Sequence, residues 1–251
     1  MPHRVQFPML VIDAGNTSVK FALVARAGAS PKLLRSVPTA RLSVTAAKRA
    51  GAKAKSVTIS SVVPSASRIL KRAFPAARFL GPSTPLPLPS EVNRKTLGSD
   101  RLANVAAAHA KYGRNVLVAS FGTAATFDLI DDKGIHRGGA IAPGWSSFAG
   151  ILSARTALLP RTGAKKATRI IARNTLGALN AGVNGGYAAL VTHIVTGMKK
   201  EAGIKNLRVV FTGGDAAEVA GLLPWKAVSD PLLTLRGIAV LAGADAREAS
   251  K

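Results

Sequence analysis

Three short clusters in this 251-residue chain have the composition of a site that handles phosphate. The first is Asp13-Ala14-Gly15-Asn16-Thr17-Ser18-Val19-Lys20. Its turn amides and hydroxyls can hold phosphate oxygens, Lys20 adds positive charge, and Asp13 offers a hard oxygen ligand to a metal that bridges to a nucleotide. The second, Gly98-Ser99-Asp100-Arg101, sets a carboxylate beside a guanidinium. Such a carboxylate can take a proton from a substrate hydroxyl while the arginine binds a substrate carboxylate. An Asp there is equally what a helix dipole favours in a first turn, so the residues alone leave both readings open. The third, around Gly122-Thr123, repeats the plan of the first, and Thr212-Gly213-Gly214-Asp215 follows another apolar run.

Strands must carry these turns. Residues 10–24 read as two buried apolar runs joined by a polar turn, with Gly15 and Asn16 supplying the positive φ that a tight hairpin needs. An ordinary solvated hairpin has the same pattern. Residues 116–130 repeat it about a hundred positions later, which points to two similar α/β domains, 1–114 and 115–251, each offering a turn to a shared cleft. Between and after the hairpins the periodicity predicts helices over 43–55, 65–74, 97–112, 146–159, 174–203, 215–223 and 231–247. Strands are expected at 57–63, 77–80, 134–141 and 207–212, and the four prolines of 81–91 predict an extended loop. The 146–159 helix reads as buried. Asn174 and Thr175 are both natural N-caps, and Gly177, Gly182, Gly185 and Gly186 hint at close approach of another backbone, as in a dimer.

Composition narrows the classes. No apolar run reaches the roughly 18 residues a membrane span needs, and no targeting signal is read at the N-terminus. The absence of cysteine excludes disulfides, thiolate zinc sites and thiol nucleophiles, and fits a cytoplasmic location. The net charge of +23 comes from a scarcity of acids, 12 against 35 Lys and Arg, with none between Ala14 and Ser90. Its cations are dispersed over several helices, and aromatics are only 5% without an RNA-binding strand motif, so an attraction for small anions is expected rather than a nucleic-acid partner.

Taken in order, the clusters resemble one family. Asp13 to Lys20, Ser60-Ser61-Val62-Val63-Pro64, Gly98 to Arg101, Gly122-Thr123-Ala124-Ala125-Thr126, Gly138-Gly139-Ala140-Ile141-Ala142-Pro143-Gly144, Asn174-Thr175 and Thr212-Gly213-Gly214 together look like a type III pantothenate kinase. That family belongs to the actin/Hsp70/sugar-kinase superfamily. The resemblance implies two duplicated RNase H-like, actin-like domains with mixed sheets flanked by helices. It further implies transfer of the ATP γ-phosphoryl group to pantothenate, the first committed step towards coenzyme A, with Mg²⁺ and in a homodimer. Residue by residue, it implies that Asp13, Ala14, Gly15, Asn16, Thr17, Ser18, Val19 and Lys20 form the first ATP phosphate loop, and that Thr123 makes a second ATP contact. Asp100 matches the proton acceptor, while Gly98, Ser99, Asp100, Arg101 and Thr175 match the pantothenate site.

Two positions depart from the family pattern. The second hairpin of the family often carries an Asp that holds K⁺ or NH₄⁺, and here that position is Ser120. A Tyr and a Pro usually precede the Gly-x-Asp-Arg motif, where this chain has Glu91 and Arg94. The Ser120 departure keeps a second reading in play, a catalytically impaired, nucleotide-binding regulatory pseudokinase; a related sugar or acetate kinase is a third.

Overall fold

The apolar runs around the two Gly-containing turns form the central hairpins of two five-stranded sheets. A computed structural model describes residues 5–248. In the first sheet β1 (Met9–Ala14) pairs antiparallel with β2 (Ser18–Val24), which pairs antiparallel with β3 (Lys32–Pro38). Helix α1 (Val44–Gly51) leads to β4 (Ser56–Ser61), parallel to β1, and α2 (Pro64–Ala73) leads to β5 (Arg78–Phe79), parallel to β4. Ser43 caps α1 by accepting the Ala46 N–H at 3.2 Å, and α2 begins on Pro64, whose missing N–H costs nothing at that position.

Strand β1 is covered on both faces, which is why it reads as an unbroken apolar run. Met9 and Val11 join one core with Leu102, Ala103 and Ile238, whereas Leu10 and Ile12 join another with Ile59 and Leu70. Each such side chain, fully buried, contributes on the order of 2 kcal/mol. Strand β3 has no counterpart in the predicted elements. It is an edge strand, exposed at all but Val37, and lacks the alternation by which strands are read. Helix α3 (Ser99–Tyr112) ends at Gly113, whose φ of 77° stops it.

The second sheet repeats the first. Strands β6 (Val116–Phe121) and β7 (Ala124–Ile130) form its antiparallel hairpin, and β8 (His136–Pro143) lies beside β7. After α4 (Trp145–Arg155), one long helical run comprises α5 (Thr175–Leu179), a π-helical stretch (Asn180–Gly185) and α6 (Gly186–Glu201). Strand β9 (Arg208–Thr212) is parallel to β6, and α7 (Ala216–Leu222) precedes β10 (Val228–Ser229), parallel to β9. The order β3-β2-β1-β4-β5 thus recurs as β8-β7-β6-β9-β10. Phe121 anchors this core, edge-to-face with Phe127 and Phe211 at 6.0 and 4.8 Å between ring centroids.

The last helix, α8 (Leu233–Glu248), belongs to the first unit. One unit holds the chain to Gly113, Gly134–His136 and Leu232 onward, and the other holds Arg114–Lys133 and Arg137–Pro231. A single break after residue 114 would have put α8 with the second sheet. It packs instead on α3, so closely that a Cβ on Gly237 would lie 1.7 Å from the Ala103 carbonyl oxygen. This explains why Leu102 to Ala108 are all buried, the sheet covering one side of α3 and α8 another.

One expectation fails here. Helix α4 buries only Trp145 and Ala149, while Ile151 and Leu152 are exposed. Within the chain the glycines of the long helical run meet no other backbone: Gly182 and Gly186 face open space, and Gly177 and Gly185 are nearest the Ala172 and Ala167 methyls. No helix among the described residues is long and apolar enough to cross a membrane.

Candidate active site

Strand β1, central in its sheet, places Asp13 near its C-terminal end, one residue before the chain turns. The turn itself differs from expectation, because neither Gly15 nor Asn16 adopts positive φ. It closes with Gly15 N–H donating to the Ser18 carbonyl at 3.0 Å. Thr39, just past β3, then braces it from outside. Its hydroxyl donates to the Gly15 carbonyl at 2.7 Å and its N–H to the Thr17 carbonyl at 3.0 Å. The side chains of Asn16 and Thr17 stay exposed. Thr39 was invisible in the sequence because its partners lie over twenty residues upstream.

Asp13 sits opposite Lys20 on β2 and beside Ser60 on β4. Burial pushes its carboxyl up to about 6, an effect that the Lys20 ammonium opposes and the charge of Asp100 reinforces. The two acids therefore belong to one electrostatic site within the first unit. Asp100 occupies the first turn of α3, where its Oδ1 accepts the Arg101 N–H at 2.9 Å. Ser99, one residue before, turns inward: it is buried, and its hydroxyl lies 2.9 Å from that of Ser60. Arg94 turns the other way, its guanidinium donating to the Thr84 carbonyl and so bracing the proline-rich loop.

In the second unit three turns interlock. The Thr123 carbonyl accepts the Gly144 N–H and the Ser147 hydroxyl, both at 3.0 Å, while the Thr123 side chain remains exposed. A Cβ on Gly144 would fall 1.7 Å from the Gly122 carbonyl oxygen, and one on Gly213, at φ 99°, would fall 2.2 Å from the Phe121 carbonyl oxygen. Asp215 ties the set together by accepting the Ser146 N–H at 3.0 Å and its hydroxyl at 2.8 Å, a carboxylate cap on α4. Burial, with a smaller effect from the charge of Asp215, raises Tyr187 well above the ordinary phenol range, and its hydroxyl donates to the Pro143 carbonyl at 3.1 Å.

Ser120 pairs with Thr126 and Thr212 in the sheet register, and Asp128 is buried opposite Val118, one diagonal step away. Asn174, not Thr175, caps α5 by accepting the Gly177 N–H at 2.8 Å. Thr175 instead lines a cavity of about 410 Å³ with Phe148, Ile151, Leu159, Leu179 and Val183.

Among the described residues no cluster of three His, Cys, Asp or Glu side chains could hold a metal unaided. Mg²⁺ at a nucleotide needs less, one or two carboxylates with phosphate oxygens and water completing the shell. Asp13 fits that role, since a half-buried carboxyl held near 6 gains from a cation beside it.

Two sheets of identical strand order, each with a hydroxyl-bearing turn on its central hairpin, define a duplicated, actin-like α/β fold. Solved structures agree with that architecture. A Campylobacter jejuni protein assigned to the Baf family of transcriptional activators superposes with a TM-score of 0.62 at 23% identity, over 95% of this chain and 99% of that one. An inorganic polyphosphate/ATP-glucomannokinase from Arthrobacter superposes with a TM-score of 0.51 at 14% identity, over 97% and 100%. Sequence comparison is more specific: the profile of type III pantothenate kinase matches residues 9–197. The type III pantothenate kinase of Methylacidiphilum infernorum is 34% identical over 238 residues, covering 93% of this chain and 87% of that protein. That of Akkermansia muciniphila is 35% identical over 238 residues, covering 93% and 98%. The chain belongs to the type III pantothenate kinase family.

Proposed function

We propose that the chain transfers the γ-phosphoryl group of ATP to the primary hydroxyl of pantothenate, with Asp100 as the proton acceptor. The observation that supports this is that Ser60, the β4 neighbour of Asp13, has its hydroxyl 2.9 Å from that of Ser99, the residue before Asp100, so that both acids stand at one end of the first sheet. Asp100 takes the hydroxyl proton as the oxygen bonds to the γ-phosphorus, and the bond to the β–γ bridging oxygen breaks to release ADP. The turn from Asp13 to Lys20 holds the ATP phosphates through amides, hydroxyls and the Lys20 ammonium. Arg101 pairs with the pantothenate carboxylate, and Gly98 and Ser99 present backbone beside it. Mg²⁺, held by Asp13, supplies charge neutralisation at the phosphates when bound.

A homodimer is part of this reading. Leu158, Ile170, Ile171 and Leu176 are 91%, 78%, 88% and 60% exposed on one stretch of the second unit, an apolar surface that a second copy would cover. A cytoplasmic enzyme free of disulfides fits the absence of cysteine. The decisive assay is ADP release from ATP and Mg²⁺ with pantothenate, sugars or acetate in turn. Turnover with pantothenate alone is expected, and turnover with a sugar but not pantothenate would overturn the assignment. Light scattering should return twice the monomer mass of 25.8 kDa.

A further inference from the structure

The proposed base is a short side chain on the first turn of a helix, close to a second carboxylate that repels it. Something must hold that turn against the sheet. Ser60 is the β4 neighbour of Asp13 in the parallel register, so both side chains lie on the same face of the sheet. Its hydroxyl is fully buried and reaches across 2.9 Å to the buried hydroxyl of Ser99, immediately before Asp100. Ser99 also lies 3.5 Å from the Ser61 carbonyl, and the Val62 N–H donates to the Ala14 carbonyl at 3.2 Å, locking the ends of β4 and β1 together. On the other side of Asp100, Gly98 leaves room: a Cβ there would lie 2.5 Å from Asp100 Oδ1. The Gly98 backbone is ordinary, at φ −60° and ψ 144°, so no left-handed conformation demands glycine. A Cβ there would instead displace the carboxylate, which folds back over that position.

We propose that the Ser60–Ser99 hydroxyl pair, together with the space left by the missing Gly98 side chain, positions the Asp100 carboxylate for proton transfer. Neither serine touches substrate through its hydroxyl; both are positioning residues. The inference rests on the reading of Asp100 as the base. Its chemistry is simple: the hydroxyl pair fixes the helix start against the strand that neighbours Asp13, and the bare Gly98 fixes which rotamer the carboxylate takes.

The test uses the full chain with ATP, Mg²⁺ and pantothenate. Ser60→Ala and Ser99→Ala should each lower kcat about 10-fold or more while KM for ATP stays within about twofold, as expected when a base moves by a fraction of an ångström. Ser99→Thr, which keeps the hydroxyl, should restore most of the turnover. The double variant discriminates further. Removing both hydroxyls leaves neither member of the pair without the other, so its urea midpoint should return towards wild type. Under positioning, kcat stays low; if kcat recovers along with stability, the pair is merely structural and the proposal fails. Should the serine variants not fold, Gly98→Ala decides, because its backbone needs no change: a fall in kcat of similar size is expected, and wild-type kcat would overturn the proposal. Asp100→Asn separates the two levels. If it turns over normally, the base assignment is wrong; if it is inactive while all the positioning variants are normal, only the present inference is.

Discussion

The fifth residue of the central strand is Asp13 in one sheet and Ser120 in the other. The scaffolds match strand for strand, yet the flanking residues differ in kind: Lys20 and Ser60 beside Asp13, Thr126 and Thr212 beside Ser120. Beside the central hairpin the first unit places charge, with Lys20 and Asp100 both acting on Asp13. The second unit places only neutral hydroxyls at the equivalent strand position, and its nearest carboxylate to the turns, Asp215, is spent capping a helix. The two sheets thus share a strand order while their central hairpins carry different chemistry-bearing residues.

The largest effect should come from Asp100→Asn, which keeps shape and hydrogen bonding but removes the proton acceptor. Turnover is expected to fall by a factor of about 10² or more with ATP binding nearly intact. Single-turnover kinetics with nucleotide binding followed separately would check it, and unchanged turnover would move the chemistry away from the first unit. Arg101→Ala comes next. Leaving the pantothenate carboxylate without its guanidinium should raise KM for pantothenate by about 10-fold or more while KM for ATP holds. A change confined to ATP would show that Arg101 serves the nucleotide instead.

Asp13 sharpens the comparison through pH. Its folded value near 6 exceeds the 3.8 of an unperturbed Asp, so between those values the folded state keeps a proton that the unfolded chain has lost. Stability contributed by that proton is therefore present below pH 3.8 and lost as the pH rises through 6, amounting to roughly 3 kcal/mol. Asp13→Asn should flatten this fall in urea unfolding of the ligand-free protein and weaken Mg²⁺–ATP binding, a trade of stability for function. Ser120→Ala in the other sheet should leave the same pH slope intact. Equal slopes in wild type and Asp13→Asn would show that burial does not act on this carboxyl as described.

Much of this was legible beforehand, for local reasons. Both hairpins, the α3 start with Asp100 and the Gly113 stop are written in short-range patterns of apolar runs and breakers, and the structure finds them in place. What escaped was long-range or faceless. Strand β3 is exposed and gives no alternation, the Thr39 brace joins residues over twenty apart, and the Ser60–Ser99 contact spans 39 positions. Helix α8 read correctly as a helix but not as part of the first unit, because nothing in its own pattern names α3 as its partner. The apolar face of α4 read as buried, since a sequence cannot distinguish a core from a surface that another chain would cover.

The smallest effect concerns K⁺. A monovalent cation beside ATP phosphates needs several oxygen ligands, and a carboxylate adds charge that hydroxyls lack. At Ser120 the strand register offers only Thr126 and Thr212 as neighbours, and Asp128 sits a diagonal step away, buried opposite Val118. Diagonal positions are about 7–8 Å apart, too far for Asp128 to stand in for an acid at 120. The +23 charge of the chain adds an attraction for phosphate that does not depend on K⁺. Turnover should therefore change by less than about twofold when K⁺ and NH₄⁺ are replaced by Na⁺ at constant ionic strength, a control needed because salt also screens that positive field. Ser120→Asp then tests the comparison from the other side: restoring the acid should bring selective activation by K⁺. Strong activation of the wild type by K⁺ over Na⁺ would mean that the second sheet builds a cation site from neutral oxygens, and that the division of charge between the two units is not a division of function.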